Sequence, residues 1–142
     1  MSNNVKLHFC KSKTIGGLLI RLITFSQYNH VAIEVNGLVW DSTLEHGVRV
    51  GEKDKFKEQY SVVDVFNVEG VNSISVSNFL RRQLGKEYDW SALVALPFRK
   101  DWQHPERWFC SELVAAALSY GGWSDLIFPA YRVTPRDLRL FV

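Results

Sequence analysis

Asn36-Gly37 stands between two β-favouring runs, Val31-Ala32-Ile33-Glu34-Val35 and Leu38-Val39-Trp40, and constrains the fold more than any other feature of the chain. Asn-Gly tolerates the two successive positive φ values of a type I′ turn, so a two-residue β-hairpin is predicted and its register follows. Val35 then opposes Leu38, and Ala32 opposes Asp41. His30, Ala32, Glu34, Val39 and Asp41 share one face of the hairpin. Val31, Ile33, Val35, Leu38 and Trp40 face the other way, toward a core. Asp41 lies diagonal to His30, with side-chain origins roughly 7–8 Å apart, a gap that polar groups can bridge. Glu34 shares that face but sits further along the strand, where it is expected to be a solvated residue beside the turn.

The rest of the chain alternates between the two periodicities. Val5, Leu7 and Phe9 interleave with Lys6, His8 and Cys10, the pattern of a half-buried strand. Ile15, Leu18, Leu19 and Leu22 have the spacing of one helical face over residues 15–24. Val48-Arg49-Val50 reads as a short strand between Gly47 and Gly51, and residues 60–68 as another. Residues 75–84 predict a helix with Val76, Phe79, Leu80 and Leu84 on its apolar side, stopped by Gly85. A short helix is expected around residues 90–96, and a loop over residues 98–107.

Residues 108–120 predict the strongest helix, because Cys110, Leu113, Val114, Ala117 and Leu118 form one continuous stripe before Gly121-Gly122. Thr134-Pro135-Arg136-Asp137 has the cap, first-turn proline and acidic first turn of a terminal helical turn. Helices mixed with antiparallel strands predict an α+β fold. At 142 residues the whole chain, 1–142, is expected to be a single domain.

Composition closes several routes. The formal charge is only +2, and Arg49, Lys53, Lys55 and Lys57 are interleaved with Glu52, Asp54 and Glu58, a solvated face or charged connection rather than a nucleic-acid footprint. Two cysteines, Cys10 and Cys110, form neither a disulfide framework nor a zinc knuckle. No signal peptide is visible, and the apolar run 15–23 is interrupted by Arg21 and too short to span a bilayer. No stable membrane insertion is expected, and the default location is cytoplasmic, with export lacking a cleaved signal left open.

Cys110 opens its helix, where free N–H groups and the helix dipole favour a thiolate. Its plainer reading is a small hydrophobe at a helix–sheet junction. His30 at a strand start could equally be a structural histidine, but Asp41 on the same face could fix its tautomer and stabilise an imidazolium. Cys110, His30 and Asp41 could also supply three metal ligands, yet no short Cys/His spacing supports zinc. His8, His46 and His104 have no visible joint arrangement. Walker, dinucleotide-binding and serine-elbow motifs are missing from the sequence, and neither cofactor nor metal is expected.

Asn29-His30-Val31-Ala32-Ile33, Val39-Trp40-Asp41 and Trp108-Phe109-Cys110-Ser111-Glu112-Leu113-Val114 together resemble the NlpC/P60 superfamily in its circularly permuted, YiiX/YebB-like papain-fold branch. Similarity extends to Glu45-His46-Gly47-Val48, to residues 84–90 and to Thr134-Pro135-Arg136-Asp137-Leu138, in family order. The resemblance implies a permuted papain-like fold, its antiparallel sheet packed on helices and its cysteine at a helix N-terminus. It implies Cys110 as nucleophile and His30 as base, with Asp41 where the family carries a third polar residue, commonly glutamate or histidine. Tyr28 and Ser111 are candidates for an oxyanion donor or for lining the substrate site. The implied activity is a thiol hydrolase acting on amides of small or cell-wall peptides through a thioester. A lipid acyl hydrolase or acyltransferase, with an exposed apolar rim drawn from Trp102, Trp108 or Trp123, is the alternative, as is a non-catalytic binding module. Partners are then a small peptide or acyl-containing substrate; the oligomeric state is not implied.

Overall fold

The computed structural model describes residues 4–11, 30–43, 45–60, 62–88, 107–108, 110–123 and 135–140. The helices expected over residues 15–24 and 90–96, together with Tyr28, Trp102 and most of the 98–107 loop, lie outside the described residues. Strands β1 (Val5–Lys11), β2 (His30–Val35), β3 (Leu38–Thr43), β4 (Gly47–Glu52) and β5 (Val62–Asn67) make one antiparallel sheet in the order β4-β3-β2-β1-β5. Helix α1 (Lys53–Lys57) follows β4, and α2 (Ser73–Gln83) follows β5. The two-residue strands β6 (Glu87–Tyr88) and β7 (Arg107–Trp108) pair in parallel before α3 (Cys110–Tyr120) and α4 (Pro135–Leu140). The architecture is α+β.

The hairpin has its expected register, with Val35 opposite Leu38 and Ile33 opposite Trp40. Asn36 and Gly37 take φ values of 52° and 85°, the left-handed pair that a type I′ turn requires. Val31, Ile33, Val35 and Trp40 enter the main core with Val5, Leu7 and Phe9 of β1 and with Cys110, Leu113, Val114, Ala117 and Leu118 of α3. The predicted stripe of α3 is therefore its buried face, although the helix starts at Cys110 and Trp108 belongs to a strand. Leu38 and Leu84 differ from expectation: both are exposed, because each sits in or beside a turn.

Two close approaches lock the helical layer and β4. A Cβ on Gly121 would lie 2.5 Å from Val76 Cγ2 and 2.6 Å from Val71 Cγ1, so only glycine lets the end of α3 meet the start of α2. The Asn72 N–H donates to the Gly121 carbonyl at 2.9 Å, and the Asn72 side chain caps α2 by accepting from the Ser75 N–H at 3.0 Å. Gly47 has φ of 64° and runs against the Lys86 carbonyl with no room for a side chain. The Val48 N–H donates to that carbonyl at 2.8 Å, which holds β4 in place.

The second face of the sheet is also covered, which corrects the half-buried reading of β1. His8 and Cys10 are both fully buried. Cys10, Ala32, Val39 and Phe56 form a small second core with Tyr60 and Val63 against it. The charged segment 52–58 is the cover: α1 keeps its lysines outward and turns Phe56 into the sheet. One aromatic among alternating charges does the packing that periodicity did not reveal.

Candidate active site

The tight hairpin places Asp41 diagonal to His30, the first residue of β2, and the carboxylate meets the imidazole directly. His30 Nε2 lies 2.8 Å from Asp41 Oδ2, without a bridging water. Asp41 is 1% exposed, so this bond forms in a low-dielectric setting where it is strong. The Tyr60 ring stacks on His30 at 5.3 Å with 12° between planes, and Phe56 lies 6.4 Å away. These rings shield the histidine–carboxylate bond from solvent.

Helix α3 lies on the opposite face of the sheet, and its first residue reaches His30 where β2 begins. Cys110 is a buried free thiol that engages the His30 ring. Asp41 occupies Nε2, so Nδ1 is the nitrogen left for the sulfur. A tether from the sheet sets this position. Ser42, the neighbour of Asp41, donates its hydroxyl to the Trp108 carbonyl at 2.6 Å, two residues before Cys110. Trp108 Nε1 in turn donates to Gln83 Oε1 of α2 at 3.2 Å. The strand that carries the carboxylate thus also holds the helix start.

Burial opposes charge on His30, yet its hydrogen bonds and electrostatic interactions with Asp41 and Cys110 raise its pKa to about 10. Burial likewise works against an ionised Asp41, but His30 and Arg49 hold its carboxyl below the usual range. For Cys10, burial pushes the thiol up, and the nearby Asp41 carboxylate pushes it further. The two cysteines occupy chemically different environments: one faces a cationic ring, the other donates weakly to the His8 carbonyl at 3.6 Å.

Several participants in this neighbourhood were not candidates from sequence. Arg49 stands opposite Asp41 in the β3–β4 register and donates Nε to Oδ1 at 2.9 Å and Nη2 to Oδ2 at 3.3 Å. Its alternation with Val48 and Val50 marked the strand face but not the partner. His8 Nε2 lies 2.6 Å from Glu34 Oε2. Glu34 is only 2% exposed, so the solvated reading of that residue is wrong: β1 lies alongside β2 and supplies the partner, and Phe56 covers the pair edge-on at 5.7 Å. Ser111 is buried in the first turn of α3. Trp108 and Trp123 are buried as well and offer no exposed apolar rim.

Neither a protein-family model nor a curated protein matches the chain. Among solved structures it is similar to the metalloprotein YiiX of Escherichia coli O157:H7 (DUF1105), at 22% identity and a TM-score of 0.68. The alignment covers 84% of this chain and 66% of that one, so the chain spans just under two thirds of its neighbour's length. The neighbour's description prompts a test for a metal site. Among the described residues no three His, Cys, Asp or Glu side chains converge as ligands, and the Asp41 carboxylate is already shared by His30 and the Arg49 cation. The described residues do not form a ligand set for a metal. Among the described residues, no helix is long and apolar enough to cross a membrane. What the similarity establishes is the architecture: this chain has a YiiX-like α+β fold.

Proposed function

We propose that the protein is a thiol hydrolase that cleaves amide bonds of small peptides, cell-wall-type peptides included, through a Cys110 thioester. The observation that carries this reading is the line Cys110–His30–Asp41, a thiol at a helix start facing an imidazole whose far nitrogen is bound to a buried carboxylate at 2.8 Å. The resemblance to permuted papain-like NlpC/P60 enzymes supports it, since the histidine strand precedes the cysteine helix in both.

The chemistry follows from that line. His30 holds the Cys110 proton as an imidazolium, and the thiolate attacks the carbonyl carbon. A C–S bond forms while the carbonyl π pair moves onto oxygen, where the Cys110 backbone N–H is one donor. Tyr28 is the proposed second donor and Ser111 a lining residue. Collapse of the intermediate expels the amine, which takes the imidazolium proton. Water, deprotonated by His30, then attacks the thioester and releases the acid and the thiol.

Mass spectrometry after exposure to peptide and lipid electrophiles tests the reading. A peptide electrophile should trap on Cys110, and iodoacetamide should label Cys110 faster than Cys10 at neutral pH. Equal labelling of the two cysteines, with activity unchanged in Cys110→Ser, would falsify the nucleophile. Fatty-acid release from phospholipid micelles at far higher kcat/KM than any peptide cleavage would reassign the substrate to lipids.

A further inference from the structure

We propose that Arg49 is a positioning residue for the proposed reaction: it divides the Asp41 carboxylate between two cations, fixing the carboxylate's orientation and limiting how tightly His30 holds its proton. The inference rests on the reading of Cys110 and His30 as a thiol–imidazole couple.

The geometry is specific. Arg49 approaches Asp41 with both ends of its fork, Nε on Oδ1 at 2.9 Å and Nη2 on Oδ2 at 3.3 Å. Oδ2 is also the oxygen bound to His30 Nε2 at 2.8 Å, so one oxygen serves two cations. The guanidinium is held from its far side too, because Nη2 donates to Gln59 Oε1 at 2.8 Å and Gln59 Nε2 donates to the Lys55 carbonyl at 3.4 Å. Tyr60, the next residue, stacks on His30. A single segment after α1 therefore locks both the guanidinium and the imidazole.

Two consequences follow. Aspartate is short, and without the fork its carboxylate is free to rotate away from Nε2. The second consequence is electrostatic. His30 is faced by Cys10 from β1, Asp41 from β3, Tyr60 from the α1–β5 connection and Cys110 from α3. Arg49, behind Asp41, is the cation that competes for the same negative charge. A histidine that must give its proton to a leaving amine works best when it does not hold that proton too tightly. Removing the Arg49 charge leaves the whole carboxylate to the imidazolium and makes it a weaker acid.

A purely structural ion pair joining β3 to β4 would not move the His30 titration, which gives the test. Histidine nitrogen NMR follows His30 across pH, its signal identified by loss in His30→Gln. Arg49→Gln should raise the His30 midpoint by about 1 unit, the scale expected for losing one nearby like charge. Arg49→Lys keeps the charge and should leave the midpoint within about 0.3 unit of wild type, the shift being a charge effect. Arg49→Met repeats the charge loss if Arg49→Gln fails to fold. A wild-type midpoint in the folded charge-loss variant overturns the proposal, as does an equal rise in Arg49→Lys. Cys110→Ser separates the underlying reading: a lowered His30 midpoint supports the thiol–imidazole couple, and an unchanged one removes it whatever Arg49→Gln gives.

Discussion

His30–Asp41 and His8–Glu34 are built from the same parts on the same face of one sheet. Their nitrogen–oxygen distances are 2.8 and 2.6 Å, all four side chains are buried, and Phe56 lies over both rings. Yet the two imidazoles are driven in opposite directions. Burial lowers the pKa of His8 despite the Glu34 bond and charge, and Lys57 and Lys53 of α1 add to the lowering. At His30 the same burial is outweighed by Asp41 and Cys110 together. Burial therefore disfavours charge on His8, and its Nδ1 has no hydrogen-bond partner among the described residues. A buried carboxylate is thus not enough to make a basic imidazole; what lies beyond the second nitrogen decides.

The sharpest way to break the comparison is to remove each ring. His30→Gln should lower kcat/KM at least ~10³-fold, whereas His8→Gln should change it less than about threefold if the protein stays folded. Comparable losses in both would mean that the two pairs act as one unit.

Removing each carboxylate is the next test. Asp41→Asn should lower kcat/KM by ~10–10³-fold, less than in a serine triad because a thiolate at a helix start depends less on its carboxylate. Glu34→Gln should leave the rate within about threefold, since its partner is His8, and should cost about 1–3 kcal/mol of stability through a weakened buried bond. Denaturant melts beside steady-state kinetics separate the two effects.

Phe56 joins the pairs, so Phe56→Ala should affect both. A stability loss of about 3–5 kcal/mol is expected from the cavity left under α1. Water reaching His8 should also raise its midpoint toward the ordinary value, because desolvation is what lowers it. A variant that melts like wild type would show that α1 does not cover the second core in solution.

The smallest effect is a pair of opposite pH windows. The folded pKa of His8 lies below its ordinary 6.5, so its stabilisation is full above 6.5 and is lost as pH falls beneath that value. The folded pKa of His30 lies above 6.5, so its stabilisation is full below 6.5 and is lost as pH rises toward about 10. His8→Gln should flatten the acid side of the Tm–pH curve and His30→Gln the alkaline side, by about 2–4 °C per kcal/mol. Flattening on the same side in both variants would contradict the assigned directions.

The sheet hairpin and the cysteine helix were legible because each is governed by local rules. Asn36-Gly37 dictates turn type, turn type dictates register, and register puts His30 and Asp41 on one face. The stripe from Cys110 to Leu118 likewise names its own buried side. His8–Glu34 was not legible, since its residues are 26 apart and meet only because β1 lies beside β2. Alternation of β1 marked two faces but could not tell that both are covered.

The sequence by itself determined which residues share a face and where a thiol meets a helix start, because dihedral preference and side-chain period act within a few residues. Only the tertiary structure decided the lateral order of strands, the folding of α1 over the second face and the docking of Arg49 against Asp41. Those depend on burying apolar surface between distant segments. Phe56 is the clearest case: among lysines and acids it reads as part of a charged connection, and it becomes core only once the sheet beneath it exists.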